Sequence, residues 1–368
     1  MANLRIPGPT PIPDDVRAAL STQMINHRGP EFAALLERVT EGLRPFFRTE
    51  SDILIYTCSG TGVLEAAIVN TLSPGDKVLA ISIGSFGDRF GAIAETYGAE
   101  VERLNIEWGG AAEPDAVRDA LRGGDYQAVL VTHNETSTGV ENPLRAIAQV
   151  VRAESKALLL VDAVSSMGCV PIETDNWGID VIVTGSQKGW EVPPGLAMAA
   201  VGPRGWEAFK RAKMPRFYLD FGKHKDFADK GQPPWTPALP VMFGLDVSLK
   251  RMADEGPGAI FDRHAAAAAN IRGQMRKLGL ELFADERYAS NTVTAVKVPT
   301  GVDGKALTAK MRTDYDTVIA GGQGKLAGQI FRFGHLGWFE QQELDDAVDA
   351  LRKTLVDLGY RIPAGASA

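Results

Sequence analysis

The chain has 368 residues, 45% of them hydrophobic and 23% charged, with a net charge of -7 and a pI near 5.4. That acidity argues against a general nucleic-acid or anionic-membrane binder, while leaving room for a local basic pocket that takes a small anion. No apolar run is long enough to cross a bilayer, and Met1-Ala2-Asn3-Leu4-Arg5-Ile6-Pro7 lacks the apolar stretch of a signal peptide. Gly365-Ala366-Ser367-Ala368 is not a peroxisomal address. Two cysteines, Cys58 and Cys169, without metal-type spacing, fit a reducing cytoplasm. Five histidines with no ligand pair among them argue against a metal site. The length suits a large domain with a smaller one.

Arg5-Ile6-Pro7-Gly8-Pro9-Thr10-Pro11-Ile12-Pro13 is too proline-rich for a helix or a central strand. It is expected to run extended across a surface, as arms over a partner subunit often do. Asp14 is expected to cap a short helix through Leu20. Pro30 opens a longer one, with Phe32, Leu35, Leu36, Val39 and Leu43 at helical spacing. Between them His27-Arg28 reads either as a solvent-facing turn or as part of a site. A strand over 53–56 runs into Thr57-Cys58-Ser59-Gly60-Thr61-Gly62 and a helix over 63–72. Such a turn offers backbone N–H groups and a positive dipole end to a phosphate. It is neither a dinucleotide fingerprint nor a P-loop, and a plain capped helix start fits it as well.

The strand over 77–81 ends in Gly84-Ser85-Phe86-Gly87-Asp88-Arg89, where Phe86 could stack on a flat ligand or fill the core. The strand over 128–132 leads into His133-Asn134-Glu135-Thr136-Ser137-Thr138-Gly139, a polar cluster able to hydrogen-bond a ring substituent. After a helix over 144–153 come two short, continuously apolar runs. Leu158-Leu159-Leu160-Val161 ends in Asp162, and Asp180-Val181-Ile182-Val183-Thr184 runs out into Gly185-Ser186-Gln187-Lys188-Gly189. Runs of this kind form strands buried on both faces. If they are parallel neighbours, their carboxyl ends open onto one crevice, and an acid and an amine share its wall. A partly desolvated lysine there becomes a nucleophile toward carbonyls, and an Asp that can reach a pyridinium nitrogen points to a pyridoxal cofactor. Taken singly, each residue also fits a bland role, Asp162 in a turn or helix cap and Lys188 in a solvated loop.

Past residue 200 the pattern changes. Lys210-Arg211-Ala212-Lys213 reads as a solvated helix face, and Gln232-Pro233-Pro234-Trp235-Thr236-Pro237 as a rigid loop before a helix over 241–252. An alanine-rich helix over 259–278 joins a large domain to a small one. A strand over 292–298, a helix over 304–315, a strand over 328–334 and an amphipathic helix over 341–358 follow. Arg332, amid apolar neighbours, needs a partner, either a bidentately held substrate carboxylate or an internal Asp or Glu. Strands alternating with helices from 53 to about 200 predict an α/β fold with a mostly parallel sheet covered on both faces. The expected boundaries are an extended arm over 1–15, a large domain over 16–257 and a smaller α+β domain over 258–368.

As a set these stretches resemble the class V branch of fold-type I pyridoxal-phosphate enzymes, and more closely the serine/alanine-glyoxylate aminotransferases. The resemblance covers nearly the whole chain. It rests on Pro7-Gly8-Pro9-Thr10, His27-Arg28 with Glu31-Phe32, Ser59-Gly60-Thr61-Gly62, Glu135-Thr136-Ser137-Thr138-Gly139 and Val161-Asp162. Gly185-Ser186-Gln187-Lys188, Phe217-Tyr218-Leu219-Asp220 and Arg332-Phe333-Gly334-His335-Leu336-Gly337 complete the set. It implies a pyridoxal 5'-phosphate enzyme in which Lys188 bonds the cofactor and shuttles the proton, Asp162 pairs the pyridine nitrogen and Val164 packs on one ring face. Ser59, Gly60, Thr61 and Gln187 would hold the phosphate, joined by Thr236 of a second subunit at the interface of a homodimer. Phe86 would stack on the ring, Thr136 would hydrogen-bond it, and Arg332 would receive the substrate carboxylate.

Two departures stand out. Phe86 replaces a tryptophan common among close relatives, and Pro233-Pro234-Trp235 replaces a stretch where some relatives carry a phosphate-reaching tyrosine. The implied reaction is ping-pong transfer of an amino group from serine or alanine to a 2-oxo acid, glyoxylate. A lyase of the cysteine desulfurase kind is disfavoured because Gln187, not histidine, precedes Lys188 and no cysteine follows Cys169. A catalytically idle relative serving as a complex subunit is the rival from another class.

Overall fold

The computed structural model describes residues 2–363, so Gly365-Ala366-Ser367-Ala368 lies outside the described residues. The first strands are β1 (Asn3–Arg5), β2 (Asp52–Tyr56), β3 (Lys77–Ser82), β4 (Glu100–Asn105) and β5 (Ala128–Thr132). A short hairpin follows from β6 (Asn134–Glu135) and β7 (Val140–Glu141), then β8 (Leu158–Asp162), β9 (Val181–Gly185) and β10 (Ala197–Val201). The last three are β11 (Val293–Lys297), β12 (Thr317–Gly321) and β13 (Ile330–Gly334).

Side-chain alternation accounts for the large sheet. Leu79, Ile81, Val129, Val131, Leu159 and Val161 enter one core. Their neighbours Val78, Ala80, Ala128, Leu130, Leu158 and Leu160 enter another on the opposite face. Strands that feed two cores have no polar side, which is why these runs are continuously apolar. The sheet order is β2-β10-β9-β8-β5-β3-β4. Every neighbouring pair is parallel except those of β10, which is antiparallel to β2 and to β9. The order reverses direction at β3, and the carboxyl ends around such a switch open the crevice where this architecture takes ligands.

A second sheet, β1-β12-β13-β11, covers a third core with the helices Gly304–Tyr315 and Gln341–Asp357. The proline-rich start joins this sheet and then lies along its own chain's crevice. Strand β1 runs parallel to β12. Buried Arg5 pairs with Glu343 at 3.2 Å, and Thr10 donates its N–H to the Gln187 carbonyl at 3.2 Å. Gly334 makes that passage possible, since a Cβ there would stand 2.2 Å from the Ile6 carbonyl oxygen.

Two local expectations change. Asp14 is the first residue of the helix Asp14–Ala19, whose cap is Pro13. Lys210-Arg211-Ala212-Lys213 lies beyond the helix Pro203–Phe209, because Arg216 folds back onto the carbonyls of Ala212 and Met214 and holds the segment as a turn. Among the described residues no helix is long and apolar enough to cross a membrane.

Candidate active site

Asp162 ends β8 and Lys188 lies three residues past β9. Parallel pairing sets Asp162 opposite Val183, so both chain ends leave the sheet on the same side. The two side chains line one crevice of about 540 Å³ with Ser59, Gly60, Thr61, Phe86, Thr136, Val164 and Gln187. Larger grooves exist elsewhere. One near Arg152, Asp180 and Trp206 lies at the opposite end of the sheet, and there Arg152 and Asp180 are paired at 2.7 Å.

Asp162 is buried, and one of its oxygens accepts the Val164 N–H at 2.9 Å. Burial pushes its carboxyl up to about 6. The charge of Glu135 adds to the rise, while the Val164 N–H and the cations Lys188 and Arg89 oppose it. Burial, seconded by Arg332, brings the Lys188 amine down to about 8 against the pull of Asp162. Its Nζ donates to the Pro7 carbonyl of the arm. Gly8 closes over it in the left-handed region, where a Cβ would meet Nζ at 2.6 Å. The arm therefore holds the unreacted amine in place.

At the other end Ser59 stands at the N-cap of the helix Gly60–Thr71 without a side-chain cap bond, leaving its hydroxyl and the first N–H groups for an anion. Gly60 lets this helix approach, since a Cβ there would meet Val164 at 2.9 Å. The Gln187 Oε1 is buried without a partner. An uncapped helix start with free N–H groups and a hydroxyl, a flat aromatic and a buried acid lining one crevice with an amine match what a phosphorylated pyridine aldehyde requires. Pyridoxal phosphate fits these residues.

Arg332, on β13, does not line the crevice itself. Its Nε and Nη2 donate to the Gly321 carbonyl at 3.0 and 2.8 Å, and its Nη1 to the Thr136 carbonyl at 3.1 Å. Backbone carbonyls thus hold it where an internal acid was the alternative, and a guanidinium held this way keeps its charge for an incoming anion. Thr236 is exposed and away from the crevice, next to Trp235, whose Nε1 donates to the Tyr218 carbonyl at 2.9 Å.

Leu64, Arg89 and Ser165 also line the crevice, without a role read from the sequence, and so does Asn134, which the sequence offered only as one member of a polar cluster. Arg89 sits over the Phe86 ring, 4.8 Å from its centroid, and its Nη1 is 3.4 Å from the Thr61 hydroxyl. Helical spacing would have revealed it, being one turn past Phe86 on the helix Ser85–Thr96, but three glycines obscure that helix. Asn134 donates to Ser165 and Thr292 at 2.8 and 2.9 Å, while its own Oδ1 is buried and free.

A family model described as class V aminotransferase matches residues 10–324. The chain is 44% identical over 362 residues, 98% of its length and 94% of the relative's, to a protein of Synechococcus sp. named soluble hydrogenase, small subunit. It is 36% identical over 367 residues, 98% of its length and 92% of the relative's, to an L-aspartate–glyoxylate aminotransferase of Paracoccus denitrificans. A solved alanine–glyoxylate aminotransferase from Nostoc sp. superposes with a TM-score of 0.93 at 31% identity, covering 96% of this chain and 95% of that one.

Proposed function

The chain belongs to the class V aminotransferases, which depend on pyridoxal phosphate, and from that premise we propose that it moves the amino group of a small L-amino acid, serine or alanine, to glyoxylate in two alternating half-reactions. The observation that carries this reading is the meeting of Asp162 and Lys188 in one crevice, with Arg332 anchored at its edge. The two glyoxylate aminotransferases named above differ in donor and share the acceptor, which supports glyoxylate more strongly than it supports any one donor.

When bound, the cofactor supplies an electron sink for negative charge at the amino-acid α-carbon. The residues of the chain do the rest. Ser59, Gly60, Thr61 and Gln187 hold the phosphate end, Phe86 and Val164 cover the two ring faces, and Thr136 hydrogen-bonds a ring substituent. Asp162, in its buried place, keeps a proton on the ring nitrogen. Arg332 takes the donor's carboxylate and so aims the α-hydrogen, and Lys188, poised close to neutrality, takes that proton and returns it. Thr236 completes the phosphate site of a second copy in a homodimer, in keeping with its exposure beside Phe217 and Tyr218, two of the large exposed aromatics. Two free cysteines accord with a cytoplasmic setting.

The relative's hydrogenase name raises the alternative of an idle complex subunit. The presence of Lys188, Asp162 and Arg332 together, the first two lining one crevice, counts against it. The test is a half-reaction. Protein loaded with cofactor should change its visible spectrum on adding alanine or serine alone and regain it on adding glyoxylate. Bound cofactor with no spectral response to any small donor would favour the idle subunit.

A further inference from the structure

Glu135 is fully buried and does not line the crevice. Its Oε2 accepts the N–H groups of Phe86 and Gly87, both at 3.0 Å. Its Oε1 accepts the N–H and the hydroxyl of Ser137 at 3.1 and 2.6 Å, and that hydroxyl oxygen accepts the Ser85 N–H at 3.0 Å. The helix Ser85–Thr96 has no side-chain cap of its own at Gly84. Its first N–H groups are therefore satisfied from about 50 residues downstream by a carboxylate placed at the positive end of the helix. Gly84 is shaped to this contact, since a Cβ there would stand 2.4 Å from the Glu135 Cγ.

The next residue, Thr136, gives its carbonyl to the Arg332 Nη1 at 3.1 Å. The charge of Glu135 also offsets the burial that lowers Arg332. Two consecutive residues, Glu135 at the end of β6 and Thr136 opening the hairpin turn, thus hold the backbone that carries the aromatic and the guanidinium.

We propose that Glu135 is a positioning residue that anchors Phe86 against the cofactor ring and, through Thr136, fixes Arg332 for the substrate carboxylate, so that the two subsites share one anchor. This rests on the reading of the crevice as a pyridoxal-phosphate transaminase site. A Glu135→Gln side chain keeps the volume but turns an NH2 toward N–H or O–H donors on one side, which breaks half of the clamp.

The experiment titrates cofactor-free parent, Glu135→Gln, Phe86→Leu and the double variant with pyridoxal phosphate, and measures donor KM and kcat and the melting temperature alongside. Hydrogen bonds to a charged group are worth enough to change affinity about tenfold or more. Glu135→Gln should therefore weaken cofactor binding by about tenfold and raise donor KM by a similar factor. In the Phe86→Leu background the same change should cost far less cofactor affinity, because the ring it positions is gone. Should Glu135→Gln not fold, Ser137→Ala, which removes one donor from the clamp, must show the same two losses in milder form.

A purely structural Glu135 would lower the melting temperature and leave both affinities of the folded protein unchanged at 25 °C. That result, a loss confined to one of the two affinities, or full additivity with Phe86→Leu overturns the shared anchor. A parent protein that takes up no cofactor fails the reading of the site, whereas a working parent beside an unaltered Glu135→Gln fails the anchor alone.

Discussion

The two walls of the crevice are built by opposite means. On one, Asp162 and Lys188 are delivered by the ends of two adjacent strands, β8 and β9, whose interiors are wholly buried. On the other, Phe86 and Arg89 ride on a helix whose first N–H groups donate to Glu135 and Ser137, which fixes its start. The first wall is desolvated, so its groups titrate away from their usual values and are fit for proton work. The second is partly open to solvent, and Arg89 is exposed. The difference teaches a division of labour, in which loss from the strand-end wall costs chemistry and loss from the helix wall costs affinity.

Lys188→Ala is the strongest way to break that division. Removing the proton carrier should lower transamination by about 10³-fold or more, within the range for general acid–base groups, while the protein still folds and still binds cofactor noncovalently. A variant retaining the parental rate in a coupled assay would exclude Lys188 as the proton carrier. The same residue gives a pH signature. An amine brought down to about 8 is neutral in about a tenth of molecules at pH 7, against a few in ten thousand for an ordinary lysine. Capture of pyridoxal phosphate by the cofactor-free protein should therefore speed up as pH rises through about 8 and level off above it. A rise that continues toward 10 would mean an unperturbed lysine.

Arg332→Ala tests the point where the walls meet. A buried charge-assisted contact to a carboxylate is worth about 2 kcal/mol or more. The donor KM should climb about 30-fold or more with cofactor affinity kept, as measured by steady-state kinetics beside a cofactor titration. Loss of cofactor with unchanged donor KM would move Arg332 to the other subsite.

The same contrast explains what could be read from the chain. Leu158-Leu159-Leu160-Val161 before Asp162, and Val181-Ile182-Val183-Thr184 before Gly185, announce strands buried on both faces, and a buried strand's end has one destination in this architecture. Period and burial therefore locate the acid and the amine. The helix carrying Phe86 has no such signature, because Gly84, Gly87 and Gly91 dilute its apolar face and its cap comes from Glu135 rather than from a neighbour. Its glycines answer to tertiary crowding. A Cβ at Gly87 would meet the Ser82 backbone at 2.9 Å, and one at Gly91 the Arg103 guanidinium at 2.8 Å. The arm was likewise legible as extended. Its place on β12 and over Lys188 was not, since pairing across more than 300 residues leaves no trace in local spacing.

Arg89→Ala is expected to have the smallest effect and is the sharpest test of the helix wall as an affinity device. Ser59, Gly60, Thr61 and Gln187, the residues proposed to hold the phosphate, are all neutral, and Arg89 is the lining cation beside Thr61. Exposed charge pairs are worth up to about 1 kcal/mol, so cofactor affinity should fall only about threefold to fivefold, with kcat unchanged once cofactor saturates. Salt separates this from a packing effect. If Arg89 acts through its charge, the parent's affinity should decline between low and physiological ionic strength more steeply than the variant's, because screening removes what the substitution has already removed. Equal salt slopes would leave Arg89 as a cover for the Phe86 ring, and a fall in kcat would place chemistry on a wall assigned here to binding alone.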